Sequence, residues 1–147
     1  MRYLIVVDMQ NDFVTGSLGS KMAEMIVPAV CEKIRRYKAQ GSTVFMTLDT
    51  HFKDYLETPE GKKLPVEHCI KGTEGWQPET QVAEAIGGSA EVYEKSTFGS
   101  AELAQHLAEI TKAGDEIELC GLCTDICVVS NALLIKAFCP ECEVIVD

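Results

Sequence analysis

The 147-residue chain lacks a basic surplus: 13 lysines and arginines stand against 23 aspartates and glutamates, a formal net charge of -10. A nucleic-acid binder presents a basic face, so phosphate-backbone recognition is not expected. Long apolar runs are also missing. None approaches the roughly 20 residues of a membrane span. Tyr3 to Val7, after Met1-Arg2, is too short for a signal-peptide core and runs straight into Asp8. No membrane partner and a cytoplasmic setting are therefore expected. Internal repeats, low-complexity tracts and a second-domain linker are absent, and histidine occurs only three times.

What is present fits one packed α/β domain over residues 1–147, with 46% hydrophobic residues and only 7% aromatics. The seven cysteines (Cys31, Cys69, Cys120, Cys123, Cys127, Cys139, Cys142) are an odd count without a secretion signal, which favours reduced thiols over a disulfide framework. Cys120-x2-Cys123 and Cys139-Pro-Glu-Cys142 have the spacing of a four-cysteine zinc site, which would make the chain a non-catalytic zinc-binding interaction module. Against it, the intervening residues read as one helix of about 20 Å, which holds the two pairs apart.

Apolar runs without alternation recur at Tyr3–Val7, Thr43–Leu48, Glu91–Tyr93, Ile117–Cys120 and Glu143–Val146, each a candidate buried parallel strand. Helical patterns lie between them. One opens near Val27-Pro28 and closes at Gly41, one covers about Glu79 to Ile86, and one runs from Ala101 to about Lys112. Such alternation predicts a doubly wound, Rossmann-like parallel sheet in three αβα layers. The stretch from His51 to Trp76 lacks strong periodicity and reads as a long loop of the kind that is more often functional or mobile than structural. The last candidate strand stops at Asp147, so a further strand and helix of roughly 25 to 45 residues are expected beyond it.

The chemistry concentrates where strands end. Asp8 ends the first run, Asp49 the second and Lys95 the third, while Gly121 to Cys127 follow the fourth. In open parallel sheets ligands bind outside the carboxyl ends of the strands. Glu116 to Leu133 reads as strand, tight turn and helix, with Thr124 or Asp125 as the cap. Cys127 falls in the helix's first turn, where the dipole is expected to lower the thiol pKa from about 8.5 towards 7.

Val7-Asp8-Met9-Gln10-Asn11-Asp12-Phe13, Asp49-Thr50-His51, Pro65-Val66-Glu67-His68-Cys69, Lys95 and Gly121-Leu122-Cys123-Thr124-Asp125-Ile126-Cys127-Val128 together resemble the isochorismatase-like cysteine hydrolases, and among them the nicotinamidases. The resemblance spans the whole chain and implies a fold of the predicted kind. It implies Cys127 as nucleophile, Asp8 as general acid and base, and Lys95 as the cation that holds both. Backbone N–H groups of Cys123 and Cys127 would form the oxyanion hole, with a cis peptide between Leu122 and Cys123. Asp49, His51 and His68 correspond to the family's metal ligands, with Glu60 as a fourth and Glu57 as second choice. Zinc suits these donors, as do iron and manganese.

Phe13 matches one aromatic that flanks the family's substrate ring. Leu64 stands on the other side, where relatives carry tryptophan. The activity implied is deamidation of nicotinamide, or a similar small heteroaromatic amide, to the acid and ammonia through a thioester, a step of NAD metabolism, in a homo-oligomer. Other small amides or ureido compounds are the alternative within the family.

Overall fold

A computed structural model describes residues 1–147. Five parallel strands form one sheet: β1 (Arg2–Val7), β2 (Thr43–Asp49), β3 (Glu91–Lys95), β4 (Glu116–Gly121) and β5 (Glu143–Val146), in the order β3-β2-β1-β4-β5. β1 is central because every residue from Leu4 to Val7 is apolar and fully buried, as a strand covered on both faces requires. The chain winds outward from β1 through β2 to β3 and then crosses to β4 on the other side. The order of the strands therefore reverses between β1 and β4.

Helices cover both faces. α2 (Lys21–Ala39) and α4 (Thr80–Ile86) pack on one, burying Val27, Val30, Ile34 and Val82 against Leu4, Val6, Val44 and Met46. α5 (Ala101–Ile110) and α6 (Val129–Phe138) pack on the other, against Ile5, Val7, Phe45 and Leu119. Two short helices, α1 (Asn11–Val14) and α3 (Pro59–Lys63), lie beyond the carboxyl ends of β1 and β2.

Two expectations from the sequence need correction. α2 begins at Lys21, well before Val27: Ser20 caps it by accepting the Ala23 N–H at 3.1 Å, and the buried stripe Ala23, Val27, Val30, Ile34 continues past exposed Pro28. Packing of that stripe outweighs the one backbone hydrogen bond that proline removes. The segment from His51 to Trp76 is not one irregular loop. It holds a 3-10 turn at Tyr55–Glu57 and α3, capped by Thr58. His51 also pairs with Ile70, which returns this excursion to the sheet edge.

The structure also tells against the four-cysteine alternative. Cys120 packs on the α2 side of the sheet, whereas Cys139 and Cys142 belong to the core on the α5/α6 side. The sheet itself separates them, so the four cysteines do not surround one ion.

Candidate active site

β1 delivers Asp8 to the carboxyl edge in an unusual conformation, φ 49, which aspartate tolerates better than most residues with a Cβ. Its carboxylate is fully buried. Oδ1 accepts the Thr47 hydroxyl at 2.6 Å, and Oδ2 accepts Lys95 Nζ at 2.7 Å. Lys95, at the end of β3, is itself buried, and its ammonium lies 3.6 Å from Asp49 Oδ1. One lysine thus links the acid of β1 to the acid of β2. Burial raises the Asp8 pKa, and the Lys95 charge pulls against it. Burial also opposes charge on Lys95, but the surrounding acids prevail and its pKa is raised.

β4 supplies the third group. Gly121 closes against β1 so tightly that a Cβ there would lie 2.1 Å from the Val7 carbonyl oxygen, and its φ of 121 is open only to glycine. The following Leu122-Cys123 peptide is cis. Cys123, not Thr124 or Asp125, occupies the cap position of a π-type turn at Thr124–Val128, and no side chain caps it. The turn bends the chain so that Cys127 points inward and is buried, with α6 beginning directly after.

The thiol is not lowered as its place at a helix start predicts. Burial raises its pKa, the Asp8 carboxylate raises it further, and Lys95 acts in the opposite sense. A helix dipole worth about 0.3 to 2 kcal/mol does not overcome burial together with a neighbouring carboxylate. Asp8 and Cys127 are two acids beside one fixed cation, and the favoured state of such a set holds one proton between them.

The second cluster lies beside the first. His51 Nε2 is 2.9 Å and His68 Nε2 3.3 Å from Asp49 Oδ2, and one donor atom from each residue falls within 4.8 Å of the other two. His68 Nδ1 donates to the Val66 carbonyl at 2.8 Å, which leaves the Nε2 lone pair aimed at the Asp49 carboxylate. Two such acceptors directed into one space need a cation there, a proton or a metal ion. Burial alone would lower the His68 pKa, but Asp49 and the Val66 carbonyl raise it. On Asp49, burial raises the carboxyl pKa, but the two histidines beside it, when they carry the proton, and the Lys95 charge outweigh burial and hold it well below its ordinary value. Glu60 Oε2 reaches to 3.8 Å from His51 Nε2, while Glu57 is exposed and takes no part. The donor set therefore fits a divalent ion of the zinc, iron or manganese type.

Both clusters border a cavity of about 230 Å³ whose walls include Phe13, Asp49, Leu64, His68, Cys123 and Cys127. Phe13 faces His68 with ring centroids 5.5 Å apart. Leu64 is 40% exposed and forms an aliphatic wall. No lysine or arginine lines this space.

Sequence reading overlooked several supports. Gln10, fully buried, accepts the Asp49 N–H at 2.8 Å and donates to the carbonyls of Asp49 and Trp76, both at 2.9 Å. Asp12 accepts the N–H of Cys69, next to His68, at 2.8 Å. Asn131 donates to the Cys127 carbonyl at 2.8 Å and accepts the Ser100 N–H at 2.9 Å, tying the turn that carries Cys127 to the start of α5. Tyr55 packs edge-on against both His51 and His68. Gln10 and Asp12 stand in the motif already singled out; nothing in the local pattern marks Asn131 or Tyr55, whose partners are distant in sequence.

The isochorismatase domain family matches residues 2–147, and the chain belongs to that family. A curated relative, the uncharacterized isochorismatase family protein PncA of Bacillus subtilis, is 30% identical over 148 aligned positions, covering 88% of this chain and 75% of the relative. The crystal structure of nicotinamidase/pyrazinamidase PncA from Bacillus subtilis superposes with a TM-score of 0.83 at 26% identity, over 99% of this chain and 82% of that one. Pyrazinamidase/nicotinamidase from Streptococcus mutans gives 0.86 at 25% identity, over 99% and 84%. N-carbamoylsarcosine amidase from Thermoplasma acidophilum gives 0.81 at 26% identity, over 99% and 80%.

Proposed function

We propose that this chain, an amide hydrolase by family and fold, deamidates nicotinamide or a closely similar neutral heteroaromatic amide to the acid and ammonia through a Cys127 thioester. The observation that carries the proposal is the pairing of two clusters across one small cavity. Cys127, with the buried Asp8–Lys95 pair beside it, borders this cavity together with Asp49 and His68 of the three converging metal-type donors.

The chemistry follows from the proton count. Asp8 takes the thiol proton, and the Cys127 sulfur attacks the amide carbon, moving the carbonyl π electrons onto oxygen. N–H groups of Cys123 and Cys127 receive that oxyanion; the Cys123 N–H has no protein acceptor and is free for the role. Asp8 then passes its proton to the amide nitrogen, the C–N bond breaks and ammonia leaves. Next, Asp8 removes a proton from water, whose oxygen attacks the thioester. The sulfur departs with the bonding electrons, and Asp8 returns the proton to it. Lys95 keeps its charge throughout and holds Asp8 in place at 2.7 Å.

Asp49, His51 and His68, with Glu60 as the fourth donor, would hold the divalent ion, whose Lewis acidity supplies a binding point for the lone pair of a ring nitrogen. Phe13 and Leu64 supply the two walls of the ring slot. Because no cationic side chain lines the cavity, a neutral amide suits it better than an anionic carbamoyl amino acid. Ammonia release from nicotinamide, pyrazinamide, ureidoacrylate and a carbamoyl amino acid tests the proposal. Preference for the two ring amides is expected. Turnover confined to the ureido compounds would replace it with the other branch of the family.

A further inference from the structure

The cavity beside Cys127 does not end at its mouth. A second hollow of about 420 Å³ lies against it, walled by Pro59, Glu60, Lys63 and Leu64 of the α3 region, Phe98 of the loop after β3, and Ile126 of the π-type turn. Glu60, Leu64, Phe98 and Ile126 are walls of both spaces, so the outer groove directly adjoins the cavity beside Cys127. Leu64, Phe98 and Ile126 are 40%, 46% and 41% exposed. Three large apolar side chains from three separate elements therefore converge on solvent at the rim of a catalytic cavity, where isolated exposed apolar residues would be scattered.

We propose that this groove is an extension of the substrate site that takes an apolar substituent, alkyl or aryl, carried on the acid part of the amide. The inference rests on the amidohydrolase reading above and narrows its substrate class. Its direction follows from the neighbours. The groove adjoins Glu60, 3.8 Å from His51 Nε2 and hence at the metal-cluster end. Asp8, which protonates the departing nitrogen, and Lys95, which holds it, line neither space. A substituent that enters the groove therefore leaves the ring away from the scissile bond and stays with the acid product. Apart from the Glu60 and Lys63 heads the walls are carbon, so the groove offers burial of apolar surface and little hydrogen bonding.

The test compares kcat/KM of the zinc-loaded protein for nicotinamide, 5-phenylnicotinamide and 6-phenylnicotinamide, read as ammonia released. At least one phenyl amide is expected to exceed nicotinamide by about ten-fold, chiefly through a lower KM. Ile126→Ser and Phe98→Ser should each cut that phenyl-to-parent ratio by about five-fold. Should either variant lose its fold by circular dichroism, inhibition of the wild-type enzyme by the phenylnicotinic acids against nicotinic acid reads the same preference. Turnover of nicotinamide with no phenyl preference, or a preference that survives both substitutions, overturns the extension and leaves the amidohydrolase proposal standing. Turnover of a phenyl amide but not of nicotinamide supports the extension and removes the small parent amide as substrate. Ammonia from none of the three overturns both.

Discussion

At the scale of single residues, the consequential fact is that Cys127 and Asp8 compete for one proton beside Lys95. Burial and the Asp8 charge raise the thiol, while Lys95 lowers it. Asp8→Asn removes the raising charge and leaves the lowering one. The variant should therefore lose turnover by about a thousand-fold, because no group remains to protonate the leaving nitrogen. Its Cys127 should nevertheless be alkylated by iodoacetamide faster at pH 7 than in the wild type, as more of it is thiolate. Peptide mass mapping across a pH series measures this; an unchanged rate would show that the two groups are not coupled, and a slower one that Asp8 acts on the thiol chiefly as its base. Cys127→Ala should abolish turnover without loss of bound metal. By contrast, His51→Ala should release the metal and raise KM for nicotinamide more than it lowers kcat. Metal content and steady-state kinetics on one preparation decide between these patterns.

At the scale of elements, the strands were legible because parallel strands buried on both faces must be continuous apolar runs. All five runs form strands, extended by a residue or two where polar ends such as Asp49 and Lys95 continue the ladder. Motif residues at strand ends were legible for the same reason. Helix boundaries were less so, since Pro28 suggests a start when the cap is Ser20. Short elements escaped notice altogether: α3 is five residues with Gly61 inside it, too brief for a periodic pattern. Long-range supports escaped for a different reason, as with Asn131, which lies on α6 yet serves Ser100 and Cys127. Asn131→Leu leaves a buried N–H and a buried carbonyl without partners, each costing about 1 to 3 kcal/mol. Urea unfolding should show a loss of about 2 to 4 kcal/mol. A loss below about 0.5 kcal/mol would mean that water replaces the side chain.

At the scale of the whole molecule, the two clusters sit where the strand order reverses, and their ligands come from different parts of the chain. Asp49 ends β2, His51 pairs with the returning segment at Ile70, and His68 is fixed by Val66 and by the Asp12 bond to Cys69. Both histidines and the aspartate are brought together only in the folded state, so an ion held there stabilises folding by mass action. At a free ion concentration a hundred times its dissociation constant, the gain is about 2.7 kcal/mol. Chelation should therefore lower Tm by several degrees, and added zinc should restore it. His51→Ala and His68→Ala should abolish the difference between chelated and zinc-supplemented samples, whereas Cys127→Ala should preserve it in full. If Cys120→Ala and Cys142→Ala removed the zinc-dependent shift instead, the ion would belong to the cysteine pairs, against their placement on opposite faces of the sheet.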